Sequence, residues 1–508
     1  MSLSLKDNKS IAPFMGEPKL PSLGLNPLGF RTASEQLFTA LLPGLNVVTL
    51  RIRYYSFYCW LLQKFYTQRD KADVKEFRRH IRMSELLMAL IHANSSDSMG
   101  VPGTTRAFEI LERKGERLSF TEDAMPDGKY TGGYWKGVNG ALGTYYSASL
   151  QEIGIILPLN RNEYLYNITK FSEDFISGEQ LANEFEESIG KKLSQQFQDC
   201  SNKGVVTRDQ LKELEGGFQT HKMPTNEECI TLEKLLLQAD KPRSEEQTFM
   251  RRNTIALLLH FINENEFDTF SELDFARYAY QQFKYGKNPN EATLGWFDYY
   301  LNDSRQFEAL NLFDEVLAKL LKSDKPGRWE NINEFTSNTA AEICSNWEKP
   351  SIRLEDLFAN WNQVNEPENK MAKSFYRFFD DYINNSEYEK FKGKIKTTYR
   401  GVHNDAIDFF DTIKSCIEYQ LFDFVKSFLT EQIIYGHYSE AMRKFSQNGI
   451  ATQKLMIENG FVKGLDRYGS SHSSPRINTL YNFVTDLGLV SNNKLTGRGK
   501  NLLKNLEE

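Results

Sequence analysis

Seven side chains near the C-terminus of this sequence have the type and spacing to meet nucleic acid: Arg467, His472, Arg476, Asn478, Lys494, Arg498 and Lys500. From Ala441 to Glu508 there are ten Lys and Arg against five Asp and Glu, although the whole chain carries a net charge of −6. That balance excludes a chain-wide polyanion binder and confines any phosphate contact to a local patch. The loop Gly469-Ser470-Ser471-His472-Ser473-Ser474-Pro475 is placed to cap a helix starting near Pro475. Arg476 and Asn478 then fall in its first turn, where a recognition helix reaches base edges or phosphates. Arg467 and His472 flank it, and Lys494, Arg498 and Lys500 lie beside the backbone. Near the start, Arg51 and Arg53 offer a polar contact to a ligand or phosphate. The competing expectation is that they pair with acidic residues inside the N-terminal domain.

Catalytic chemistry has less material. Nucleophile elbows, H-E-x-x-H, His-Lys phosphodiesterase patterns and Walker motifs are absent, the R-x(4 to 6)-H spacing of helical ribonucleases occurs once, from Arg467 to His472, and the seven histidines are scattered. Glu112-Arg113-Lys114 matches the E-x-K fragment of restriction-type nucleases but falls on an expected helix, without a strand or a suitably spaced Asp. The Gly-rich stretch Asp127–Gly143 could cradle a phosphate, yet has neither nucleotide-binding glycine spacing, so loop geometry explains it better. Cys59, Cys200, Cys229, Cys344 and Cys416 are odd in number and far apart. They read as buried thiols in a reducing compartment, and no metal site or cofactor is expected.

The elements that must position these residues repeat. Tyr145 to Ile156 runs into Tyr164 to Thr169, and Leu480 to Val490 runs into Asn493 to Lys500. Each reads as an amphipathic helix stopped by a glycine (Gly154, Gly488), an apolar pair opening a β-hairpin, and a final helix. That is the pattern of a winged helix, with Asn492-Asn493-Lys494 as the second wing tip. The fold class expected is mainly α: multi-helical, with two winged-helix-like units carrying short β-hairpins. Three domains are expected, 1–190 with the first unit, an all-helical middle at 191–430, and a C-terminal winged helix at 431–508.

Between the repeats, apolar periodicity predicts helices over Ser34–Leu42, Val47–Tyr66, Val74–Asn94, Thr104–Lys114, Thr254–Ile262, Phe270–Phe283, Leu294–Leu301, Phe307–Leu321, Met371–Ile383 and Ile407–Phe428. Val47–Tyr66 carries aromatic residues on more than one face and is expected to be buried nearly all round. Thr225-x-x-Glu228 and Ser244-x-x-Gln247 have capping-box spacing, and the lysine-rich 388–399 reads as a linker. With 508 residues, 40% apolar content and 13% aromatics the chain can build large cores. No run approaches a membrane span, and a cytoplasmic location without membrane contact is expected.

At Leu42-Pro43-Gly44-Leu45-Asn46 with Thr49-x-Arg51-x-Arg53-Tyr54-Tyr55, and again at Gly140-x-Leu142-Gly143-x-Tyr145-Tyr146 with Leu150-x-x-x-Gly154, the chain resembles an uncharacterised bacterial family. That family, a domain of unknown function, is met near phage-defence and restriction genes. The resemblance covers mainly residues 20–190 and implies context without an assigned activity. The expectation is a non-catalytic DNA-binding or adaptor subunit of a bacterial anti-phage defence system. It would contact double-stranded DNA and partner defence proteins such as a nuclease, helicase or ATPase. The alternatives are an interaction scaffold that binds no nucleic acid, or a nuclease with an unrecognised active site.

Overall fold

The computed structural model describes residues 26–507 except 68–72, 96–99, 125–138, 161–162, 243–246, 288, 323–327, 348–350, 386–387, 400–404 and 449–450. Helices dominate it, and the strands form small antiparallel sheets. Its contacts divide the chain into two compact units that interleave in sequence. The first joins Met1–Leu37 to Leu294–Ser473, and the second joins Phe38–Thr293 to Ser474–Glu508. This division differs from the expected 1–190, 191–430 and 431–508. Position 190 is a kink within one helix, Gly178–Lys203, where Gly190 takes φ 76° and ψ 154°. Position 430 falls in the helical run Leu421–Phe428, Leu429–Tyr435 and Gly436–Asn448, whose middle part is a π-helix. Nor is 191–430 all-helical, because Val205–Thr207 pairs with Arg117–Ser119 and Glu330–Asn331 pairs with Phe461 and Val462.

The core of the second unit is built on the helix Arg53–Thr67, which is aromatic on every side because every side is covered. Tyr54, Tyr55, Phe57, Tyr58, Trp60 and Phe65 are buried, and Trp60 packs among Phe57, Phe185, Phe197 and Phe218. Its indole N–H finds a partner in the Glu186 carboxylate, as a buried Trp requires. This helix starts at Arg53 and not at Val47. Asn46 turns the preceding chain by accepting the Val48 N–H on its side chain and the Thr49 N–H on its carbonyl.

The first unit buries Phe313, Leu317, Phe375, Phe378, Phe379, Phe424, Phe428 and Ile433 in one cluster. The two helices expected at 294–301 and 307–321 are a single helix, Glu291–Leu321. Its polar middle, Asn302, Asp303, Arg305 and Gln306, reads as a break in the sequence but is buried within the unit. Arg305 lies between the Phe30 and Phe409 rings, 4.3 and 4.7 Å from their centroids. Conversely, the run expected over 407–428 breaks between Ser415 and Leu421, where Gln420 bridges to Arg353. The expected linker at 388–399 is the helix Tyr388–Thr398, whose Tyr388 and Ile395 are buried.

Candidate nucleic-acid interface

The two sequence repeats coincide in their backbone bonding. In the first, a helical stretch over 140–152 stops at Gly154 (φ 90°), where Ile155 N–H returns to the Leu150 carbonyl. In the second, Ile477–Asp486 stops at Gly488 (φ 70°), where Leu489 N–H returns to the Val484 carbonyl. Positive φ at that point favours glycine, which explains the stop in both. The hairpins Ile156–Asn160 with Leu165–Ile168, and Val490–Ser491 with Lys494–Leu495, then close on equivalent threonines. Thr169 N–H donates to the Ile155 carbonyl at 2.9 Å, and Thr496 N–H to the Leu489 carbonyl at 3.0 Å. Thr169 Oγ1 accepts from Gly178 N–H and Thr496 Oγ1 from Gly499 N–H. Each glycine sits so close to the strand that a Cβ would meet the same carbonyl oxygen at 2.2 Å.

Both repeats belong to the second unit and grip the same elements there. Glu152, closing the first helix, accepts from Gly44 N–H at 2.8 Å. Asp486, closing the second, accepts from Arg51 at 2.7 Å. The carbonyls of the equivalent residues Ile153 and Leu487 take Gln238 Nε2 and Cys229 Sγ, one at each end of the helix Asn226–Leu237.

The candidate residues are distributed over both units. Arg467 and His472 lie in the first. Arg467 forms a two-pronged pair with Asp314, and His472 Nδ1 pairs with Asp303 Oδ2 at 2.7 Å. The imidazole lies flat on Phe307 at 4.0 Å, and the buried Asp303 carboxylate also accepts from Ser473 N–H and Oγ. A carboxylate on Nδ1 orients the ring and leaves Nε2 as the edge for a second partner.

In the second unit the helix expected near Pro475 begins at Ile477 and has no side-chain cap from its own loop. Glu272 takes that place, accepting from Asn478 N–H at 3.0 Å and from Ser474 Oγ at 2.8 Å. Arg476, at φ 63°, turns onto the Leu45 carbonyl at 2.8 Å and over the Phe38 ring. Thr479 donates to the Asn46 carbonyl, Tyr481 stacks on Phe270, and Phe483 meets Tyr55 edge-on. Only the Asn478 and Thr485 positions of this helix are exposed. Arg498 is held by Glu233 at 2.6 Å, by the Leu487 carbonyl at 3.0 Å and by Cys229 Sγ. Lys494 stands out, with 76% of its side chain exposed and Glu266 at 3.7 Å, and Lys500 is exposed as well.

Arg53 is wholly buried, bidentate on Glu228 at 3.0 to 3.2 Å and donating to the Gln219 carbonyl. Both early arginines therefore pair with carboxylates, but Glu228 and Asp486 lie outside 1–190. Because its carboxylate is committed to Arg53 and Ser56, Glu228 does not complete a capping box, although Thr225 accepts its N–H. Complete boxes stand at Ser177–Gln180 and Thr207–Gln210. Ser244 lies outside the described residues, as do Gly132-Gly133-Tyr134-Trp135-Lys136-Gly137.

The first repeat's helix is capped in the way the second one is. Glu85 accepts from Ala141 N–H at 2.9 Å, Leu142 N–H at 2.7 Å and Tyr58 at 3.0 Å. Burial raises its pKa to about 7, against the pull of those hydrogen bonds and of Arg82. Neither Glu85 nor Glu272 was legible as a cap, since each is remote in sequence from the helix it closes.

Glu112 and Lys114 are exposed just past the helix Thr104–Leu111. Among the described residues no group of three or more His, Cys, Asp or Glu converges as a metal site would. The cysteines are free thiols, four of them buried. An open groove of about 520 Å³ in the first unit is lined by Asn331, Asp423, Lys426, Ser427, Glu431 and Tyr435 among others. Part of its wall is the π-helical turn, a feature frequent at functional sites. No helix among the described residues is long and apolar enough to cross a membrane. Comparison with protein-family models, curated proteins and solved structures gives no match to this chain.

Proposed function

We propose that the protein is a non-catalytic interaction scaffold, an adaptor whose two winged-helix modules serve mainly as structural parts. The observation that carries this is the capping of both would-be recognition helices by the chain's own carboxylates, Glu85 and Glu272. A helix N-terminus is the natural seat of a phosphate, and a carboxylate already there both fills it and repels the anion. The turning of Arg476 and Arg498 onto internal carbonyls and Glu233 supports the same reading. The defence-gene resemblance supplies the setting, in which an adaptor would gather partner proteins.

DNA binding is the second reading, favoured by one observation. The second hairpin projects Lys494 and the first turns of the following helix, Gly497–Glu507, project Lys500, with no acidic residue between Val490 and Lys500. Fluorescence anisotropy with duplex DNA, repeated from 50 to 200 mM salt, separates the two. A scaffold gives weak binding with a shallow salt slope. A log–log slope steeper by about 1.8 than that of the Lys494 and Lys500 double neutralisation, at about 0.9 per phosphate contact, would establish DNA binding and overturn the scaffold reading.

A further inference from the structure

Equivalent positions of the two wings carry opposite surfaces. In the second hairpin the outward pair is Ser491 and Lys494, and in the first it is Leu157 and Asn167. Leu157 is followed on the same strand by Leu159, then by Tyr164 at the turn and Phe171 beyond the second strand, with exposures of 41%, 56%, 45% and 61%. Four large apolar chains exposed on one hairpin and its exit are more than the scattered single residues a monomer surface carries. The charge differs too. From Ile156 to Glu179 there are four acidic residues (Glu163, Glu173, Asp174, Glu179) against Arg161 and Lys170, whereas Val490 to Lys500 has three basic residues and no acidic one. Lys170 is in reach of Glu179, and Glu163, Glu173 and Asp174 are exposed.

The first wing is also incomplete as a sheet. Among the described residues its two strands pair only with each other, as those of the second hairpin do, whereas the hairpin Leu455–Glu458 with Phe461–Gly464 in the first unit takes Glu330–Asn331 as a third strand. The strand Ile156–Asn160 carries exposed Leu157 and Leu159 on either side of Pro158, where its register shifts, and an edge with exposed leucines accepts an added strand through the main-chain groups outside that shift, with side chains giving specificity.

We infer that the first wing, through Leu157, Leu159 and Tyr164, is the docking edge for an extended partner segment that alternates apolar and basic residues. The apolar chains of that segment cover the leucines, and its lysines or arginines face Glu163, Glu173 and Asp174. This rests on the scaffold reading and names the surface that the scaffold uses.

The test takes the full chain and two labelled ten-residue peptides, one alternating valine with lysine and one alternating valine with glutamate. Anisotropy should show saturable binding of the lysine peptide, at least tenfold tighter than the glutamate peptide. L157S/L159S, at exposed positions and with unchanged melting, should weaken that binding at least tenfold. Y164S provides a second variant should the first fail to fold. Equal binding of both peptides, or binding unchanged in the variants, overturns the inference. So does concentration-dependent self-association lost in the same variants, since the occupant would then be a second copy of the chain. The DNA titration above judges the scaffold reading separately: a flat salt response with no wing-dependent peptide binding defeats this inference alone.

Discussion

Gly499 and Gly178 give the sharpest check on the duplicated architecture. A Cβ on Gly499 would lie 2.2 Å from the Leu489 carbonyl oxygen, and one on Gly178 would lie 2.2 Å from that of Ile155. An unstrained carbon–oxygen contact needs roughly 3.3 Å, so alanine must push helix and strand apart by about 1 Å. Overpacking of that kind costs roughly 1 to 3 kcal/mol. The same shift lengthens the bond from Gly499 N–H to Thr496 Oγ1, now 3.1 Å, which places the expectation in the upper half of that range. Gly497 provides the internal control two residues earlier on the same helix, where a Cβ meets nothing within 4 Å. There alanine should be neutral or stabilising by up to about 1 kcal/mol, by restricting the unfolded chain. Thermal melting of G499A, G178A and G497A reads this directly. At about 2 to 4 °C per kcal/mol the first two should fall by several degrees while the third holds or rises. If G499A and G497A melt alike, the close approach of helix to strand is absent, and the equivalence of the two repeats goes with it.

W60A should destabilise the second unit by roughly 3 to 5 kcal/mol, measured by denaturant unfolding, since its indole is fully enclosed by phenylalanines. E228Q should cost about 3 to 5 kcal/mol by leaving Arg53 buried without its counter-charge, and an apolar double replacement, R53M/E228L, should recover most of that loss. His437 is buried and bridges the Pro27 carbonyl and Lys454 N–H, and burial lowers its pKa from 6.5 to about 4. Between those values the unfolded chain binds more protons, so stability should fall as pH drops from about 6.5 towards 4, by up to roughly 3 kcal/mol. Unfolding at pH 7 and pH 5 should show that decline in the native chain and a smaller one in H437Q. Arg498 and the exposed lysines should separate: R498A should lower the melting temperature, whereas K494A/K500A should leave it unchanged.

Local signals made the elements legible where one physical cause dominated. Val74–Asn94 is bounded where its apolar period places it, with Asp73 found capping its first turn, and each repeat is readable from a glycine that must take positive φ after an apolar helix. Polarity misleads where burial reverses its meaning. Asn302, Asp303, Arg305 and Gln306 look like a loop between two helices, yet they continue one helix because their polar groups are enclosed within the first unit. The lysine-rich 388–399 reads as a linker because the apolar period of Tyr388 and Ile395 is sparse. Those two residues nonetheless anchor a helix, and Lys392 is neutralised by Asp411.

The candidate binding residues are the least legible part, for a reason that Arg476 and Lys494 make plain. A cationic side chain in a basic stretch has the same sequence signature whether it faces phosphate or satisfies a carbonyl inside the fold. The difference is set by partners hundreds of residues away: Leu45 for Arg476, Glu233 for Arg498, Asp486 for Arg51. What sequence does distinguish is the composition of two comparable surfaces, because two segments with the same glycine stop and threonine closure meet the same backbone constraints there. Gly154 and Gly488, Thr169 and Thr496, and Gly178 and Gly499 agree because the backbone requires them. Leu157 and Ser491 differ at a position where the backbone requires nothing. Divergence at that solvent-facing position, on hairpins that also differ in length, bears on what each hairpin meets more than on the glycine stop and threonine closure they share.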